Sequence, residues 1–222
     1  NIDGDVLWNC YKATCLSKGT KQGSPSTNSI RNRLNRIPNQ LLNKTKNEIP
    51  NILSDPLFHP EVIDWLERNN CLGQLKDKKV KIKYSPLEKR ILFFYPENVG
   101  ALGRTLIPKL KPKWKAFGDT SGLFITGSGD TVVLVEDCAS AVSVSRLSGV
   151  IGIALSGTNI SSKQKHQLKV YNNIKICLDK DASVKALSLI GIIKPFCNVT
   201  VTLLESDLKF LNEEELTIKF NI

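Results

Sequence analysis

Acidic side chains stand where several apolar runs of this chain stop. Glu136 closes "VVLVE", Asp179 closes "IKICLD" with Asp181 two residues on, and Asp207 follows "NVTVTLLE". Leaving a buried charge without its partner costs about 3 to 5 kcal/mol, so a carboxylate at a strand tip needs a counter-charge. Taken singly, each acid could equally cap the helix that follows it. Four carboxylates on one sheet rim, however, would repel one another. An all-oxygen donor set of this kind suits Mg or Mn rather than zinc. Gly157 and Thr158, just past "VIGIAL", supply a turn through which backbone can pass close to a metal-bound phosphate, although any strand-to-helix turn may use such a pair.

The elements that must position these acids follow from the residue pattern. Over residues 131–222, four apolar runs alternate with helical stretches near 137–147, 161–170, 181–191 and 210–216. That order predicts an α/β domain with a parallel four-stranded sheet flanked by helices, and such sheets bind ligands beyond the carboxyl ends of their strands. Residues 56–130 read as a mixed α+β basic subdomain. "HPEVIDWLERNNCL" has Pro60 at a helix start and Val62, Ile63, Trp65 and Leu66 at helical spacing. The runs "KVKIKYS", "RILFFYP", "GALGRTLI" and "GLFITG" then predict a mostly antiparallel sheet.

Residues 16–55 are expected to be a basic linker, in which "IRNRLNRIPNQLLNKTK" suits a short amphipathic helix that either docks on the core or tracks a phosphate backbone. Residues 1–15 carry Cys10 and Cys15, spaced like one half of a small zinc ribbon. Tetrahedral zinc needs four ligands, so zinc is expected at these two cysteines only if the ribbon is complete. The chain holds no Met and opens on Asn1, which suggests a piece of a longer product.

Composition bounds the function. With 41% hydrophobic and 23% charged residues, the 222-residue chain belongs with soluble globular proteins, and no apolar run reaches the roughly 18 to 20 residues that cross a bilayer. A cytoplasmic protein with no membrane partner is expected. The net charge of +10 is concentrated in residues 1–130, with 21 Lys/Arg against 12 Asp/Glu, whereas residues 131–222 have 10 against 9. Such a bias is the footprint of a polyanion-binding surface or of a solvated basic face. Cys138, Cys177 and Cys197 lie in or beside apolar runs and read as small buried hydrophobes.

"VVLVED", "GT" and "LDKDAS", in this order and spacing, resemble the toprim domain, with its strand-end Glu, Gly loop and Asp-x-Asp. "VIDWLERNNCL", "RILFFYPENVGALGRTL" and "PKWKAFGD" look like the polymerase core of phage and bacterial replicative primases. The resemblance implies DNA primase activity: short RNA primers made on a single-stranded DNA template from ribonucleoside triphosphates by metal-dependent nucleotidyl transfer, beside a replicative helicase. It implies Glu136, Asp179 and Asp181 as catalytic Mg or Mn ligands and Asp207 as a later metal-binding acid. It assigns Arg104, Lys113 and Lys115 to template or nucleotide phosphates. Family members often have a further Asp four residues after the Glu; this chain has Ser140 there, and Asp137 is offset from that place.

Two other readings accompany this one. A toprim-type nuclease would cleave phosphodiesters with the same acids but need not have Gly103-Arg104 and Lys113. A non-catalytic nucleic-acid-binding module would use the acids only structurally. A topoisomerase needs a nucleophilic Tyr on a separate domain, and none of Tyr11, Tyr84, Tyr95 and Tyr171 lies in a region large enough to supply one. No phosphate-binding Gly-x-x-x-x-Gly-Lys-Ser/Thr of a fused helicase occurs.

Overall fold

The computed structural model describes residues 6–9, 18–21, 47–155, 160–179 and 182–221, the first two segments by their backbone alone. The chain divides into two units, Asn1–Thr45 and Lys46–Ile222. In the first, β1 (Val6–Asn9) and β2 (Lys18–Lys21) pair antiparallel, with Val6 opposite Lys21 and Asn9 opposite Lys18. Cys10, Cys15, residues 16–17 and 22–46 of the expected basic linker, Gly157, Thr158 and Asp181 lie outside the described residues.

The second unit is a mixed α/β assembly of two sheets. Its helical part opens with α1 (Pro60–Arg68) and the short α2 (Leu72–Lys76). Pro60 occupies the first turn of α1, where its missing N–H costs nothing, and Val62 and Leu66 are the buried side of the helix. His59, just before α1, makes no capping bond; its Nε2 lies 2.7 Å from Ser54 Oγ and its ring packs on Tyr84. A four-stranded antiparallel sheet follows in the order β3 (Ile82–Ser85), β4 (Arg90–Phe94), β5 (Gly100–Thr105) and β6 (Trp114–Gly118); its first three strands are the runs expected, whereas β6 falls outside the four expected strand runs.

Both glycines of "GALGR" are required by packing. A Cβ on Gly100 would stand 2.3 Å from the carbonyl oxygen of Asp119, and one on Gly103 would stand 2.8 Å from the Phe117 ring. The close approach of β6 and of neighbouring side chains to β5, rather than ligand chemistry, accounts for these two positions.

The second sheet has five strands, not four. β8 (Thr131–Val135), β9 (Val150–Ala154), β10 (Asn173–Asp179) and β11 (Asn198–Leu204) are parallel, in the spatial order β11-β10-β8-β9. β7 (Phe124–Gly127) adds to the β9 edge antiparallel. A purely parallel four-stranded sheet was expected, and the domain boundary at residue 130 falls between two strands of one sheet. A short run such as "FITG" carries no mark of which sheet it will join; that depends on tertiary packing.

Alternation along β8 explains the layers. Val133 and Val135 face one core with α3 (Cys138–Val144) and α6 (Glu213–Phe220), whereas Val132 and Leu134 face another with α4 (Ser162–Leu168) and α5 (Ser183–Ile193). α4 starts on a capping box: Gln164 N–H donates to Ser161 Oγ and Ser161 N–H to the Gln164 side chain. α3 packs so closely on β9 that a Cβ on Gly152 would lie 2.0 Å from Ala141 O.

The two sheets share one core. Phe93 of β4 is fully buried, with ring centroids of Trp65, Trp114 and Phe124 at 6.2, 5.9 and 6.2 Å. Burial of an aromatic side chain of this kind is worth about 3 kcal/mol, which ties the antiparallel sheet to the rim of the parallel one. No described helix is long and apolar enough to cross a membrane. Cys71, Cys138 and Cys177 are buried free thiols, and burial pushes the Cys177 thiol up to about 12.

Candidate functional site

The strand order creates a crevice. The chain leaves β8 toward β9 on one side, and β10 returns on the other, so the connections after β8 and β10 run apart at the carboxyl end of the sheet. Open sheets hold ligands at such a switch point. Glu136 is the first residue after β8 and Asp179 the last of β10; both are solvent-exposed. They line a cavity of about 30 Å³ together with Asp137, Ser140, Cys177 and Asp207. Three of the four expected acids, Glu136, Asp179 and Asp207, therefore come to one place from the ends of three adjacent strands.

Their surroundings are not alike. Asp207 sits in the turn after β11, where its side chain caps a single 3-10 turn, Leu208–Phe210. That turn brings Lys209 back to the two aspartates, and its Nζ donates to Asp207 Oδ2 and to Asp137 Oδ2, the latter at 3.3 Å. Ser140 Oγ donates to Asp207 Oδ1 at 3.0 Å. Asp137 caps α3: its Oδ1 accepts Ser140 N–H at 2.9 Å. Ser140 thus holds Asp207 through its hydroxyl and Asp137 through its backbone.

Burial pulls the Lys209 ammonium down, but Asp137 and Asp207 together outweigh it and hold the group above its usual value. Among the described residues, no group of three His, Cys, Asp or Glu is gathered closely enough to hold a metal ion as it stands.

A second depression adjoins the first through Asp137 and Asp207. It has a volume of about 390 Å³, and its walls include Trp65, Arg68, Arg104, Lys113, Trp114 and Lys209. Arg104 extends from β5, with its guanidinium 5.9 Å from the Trp65 ring and 5.6 Å from that of Trp114. Two indole faces on a guanidinium make a cation–π arrangement that holds its orientation without using its N–H donors. Its Nε has no hydrogen-bond partner among the described residues. Burial lowers its pKa from the usual arginine value, against the pull of Asp137, yet a guanidinium remains protonated.

Lys115 does not join Arg104 and Lys113. It pairs with Gly103, next to the Arg104–Trp114 pair, so alternation turns it to the opposite side of the sheet. There it donates to both oxygens of Glu88 at 2.9 Å. Trp114 is both a core neighbour of Phe93 and a wall of the groove.

Four residues of the site were not singled out by type and spacing. Lys209 lies in "ESDLKFL", where only the acid stood out, and its return to Asp207 depends on a turn too short for any periodicity. Trp65 and Arg68 come from α1, whose apolar stripe reads as core. Arg90 is the first residue of the strand run "RILFFYP", which marks it for no role of its own; it opens β4 and is buried, with its guanidinium donating to the carbonyls of Gly103, Pro112 and Lys113 at 3.1, 2.8 and 3.3 Å. These bonds hold the segment that presents Lys113. Comparison with protein-family models, with curated proteins and with solved structures gave no match for this chain.

Proposed function

We infer that this chain is a toprim-type primase core, which makes short RNA primers on single-stranded DNA. The observation that carries the reading is the continuity of two surfaces: an acidic crevice at the sheet switch point, with Glu136, Asp179 and Asp207, opening into a groove walled by Arg104, Lys113, Trp65 and Trp114. Nucleotidyl transfer needs both, since the reacting triphosphate is polyanionic and the template is a charged strand with stackable bases. A nuclease needs the first surface and can do without the second.

The donor set fits a hard divalent ion. Glu136 and Asp179 offer exposed carboxylate oxygens, as Mg or Mn prefers, and the one sulfur among the described lining residues, Cys177, is a buried thiol held protonated. These two carboxylates, with Asp181 two residues beyond Asp179, would hold the ion. When bound, such an ion lowers the pKa of an attacking 3'-hydroxyl and neutralises the leaving pyrophosphate.

The chain's own residues do the rest. Arg104, steadied between two indoles, presents its guanidinium fork to phosphate oxygens, and Lys113 adds a point charge beside it. Trp65 and Trp114 line the same groove, where a base can lie against an apolar surface. The replicative helicase, the Zn site of a complete ribbon and the cytoplasmic setting belong to the same reading.

The test is to incubate the protein with single-stranded DNA, labelled ribonucleoside triphosphates and Mn or Mg, and to resolve the products by size. Short RNA that falls at least about 100-fold in Asp179→Ala is the expected outcome, a loss of some 3 kcal/mol of transition-state stabilisation. Cleaved DNA that also depends on Asp179 would replace the primase with a nuclease. Unchanged primer synthesis in Asp179→Ala would remove this crevice from the reaction.

A further inference from the structure

The acids of the crevice fall into two kinds. Glu136 and Asp179 are exposed on the outer lip. Asp137 and Asp207 stand deeper, with side chains 24% and 26% exposed, and between them lies the Lys209 ammonium, whose side chain is only 13% exposed. All four oxygens of this inner pair accept hydrogen bonds. Asp137 Oδ1 takes Ser140 N–H and its Oδ2 takes Lys209; Asp207 Oδ1 takes Ser140 Oγ and its Oδ2 takes Lys209. A divalent ion seated between Asp137 and Asp207 would have to expel an ammonium bonded to both, and Arg104 in the adjoining groove adds to the repulsion.

We propose that Lys209 is a resident counter-cation that takes the place of a second divalent ion between Asp137 and Asp207, so that the crevice loads one Mg or Mn, on the Glu136–Asp179 side. Lys209 acts as a positioning residue: it neutralises the inner pair, fixes Asp207 on Ser140, and keeps a positive charge at the junction between crevice and groove. Ser140 fits this division of labour, because an acid at that position would add a further negative charge beside Asp207, whereas a hydroxyl donates to it. The inference rests on the reading of Glu136 and Asp179 as metal ligands, and its test separates the two.

The measurement is direct metal stoichiometry on the whole 222-residue chain without substrate, by Mn electron paramagnetic resonance and calorimetric titration. Wild type is expected to bind one Mn, which Asp179→Asn removes. Lys209→Met is expected to bind two, the added ion being lost again in Lys209→Met combined with Asp207→Asn. Lys209→Arg, which keeps the cation, should stay at one. Two Mn in the wild type would overturn the proposal without need of any variant, which covers the case in which Lys209→Met does not fold. One Mn in both wild type and folded Lys209→Met would overturn it as well, while leaving the Glu136–Asp179 ligands intact. Binding that Asp179→Asn does not alter would instead sink the metal-site reading, and this proposal with it.

Discussion

The two sides of the antiparallel sheet carry similar cations in opposite states. On the side away from the parallel sheet, Arg90 has a side chain only 2% exposed and donates to three backbone carbonyls, while Lys115 is clasped by Glu88. On the side facing the crevice, Arg104 is held by two indole rings, which accept no conventional hydrogen bond. Arg90 and Arg104 sit on neighbouring strands, where Arg104 pairs with Ile91, the residue after Arg90. Alternation sends them to opposite faces. Positive charge therefore says little about binding until its hydrogen-bond acceptors are counted: one arginine has used its fork in building the sheet, and the other still has it to offer.

The largest effect that would sharpen this contrast is expected at Arg90. Arg90→Met keeps much of the apolar stem but takes a charged donor from the carbonyls of Gly103, Pro112 and Lys113, of which Lys113 O keeps only its bond from Thr105 N–H, so unfolding in urea should show a loss of about 3 kcal/mol. If stability is unchanged and only DNA binding falls, the division between a building and a binding arginine is wrong. Gly103→Ala tests the same packing from the other strand. The new methyl would press on the Phe117 ring at 2.8 Å and on Arg90 Cδ at 3.2 Å, for an expected cost of about 2 kcal/mol.

Arg104→Ala is expected to act on the other quantity. Binding of single-stranded DNA should weaken about tenfold, with the slope of log affinity against log salt falling by about 0.7, as for one lost phosphate contact. Because no carbonyl is left unpaired, unfolding should change by no more than about 1 kcal/mol, the size of the lost cation–π contact. A stability loss as large as that of Arg90→Met would place Arg104 among the structural residues and leave the groove without its main phosphate donor.

What could be read in advance follows the same physical line. The rim acids were legible because an apolar run that stops on a carboxylate is unusual by itself, and because the alternation of strands and helices puts such ends on one side of a sheet. Glu136, Asp179 and Asp207 duly share a cavity. Ser140 was legible as a departure, although not as the donor to Asp207. Lys209 was not legible, since its position depends on a single 3-10 turn, and Arg90 was hidden because burial of a guanidinium requires three acceptors that converge only in the folded sheet. β7 was assigned to the wrong neighbours for a similar reason: strand-forming residues specify a strand but not its partner. Lys113 and Lys115 looked equivalent in "KPKWK"; the pair separates because Lys115 is inside the ladder and obeys its alternation, whereas Lys113 precedes β6.

The smallest expected effect tests the contrast at its most exposed point. Lys115 and Glu88 have side chains 26% and 32% exposed, so their bond is partly screened, and Lys115→Ala should cost less than about 1 kcal/mol of stability. If Glu88 truly occupies Lys115, single-stranded DNA affinity should stay within about twofold of wild type in Lys115→Ala, far from the tenfold drop at Arg104. The reverse substitution is more telling. Glu88→Ala removes the clasp, restores a free ammonium to the basic surface and takes away one negative charge, so DNA affinity should rise by about two- to threefold at low salt and return to the wild-type value as salt increases. Equal losses of affinity in Lys115→Ala and Arg104→Ala would mean that the strand passes over both sides of the sheet, and that Glu88 yields to phosphate whenever DNA is bound.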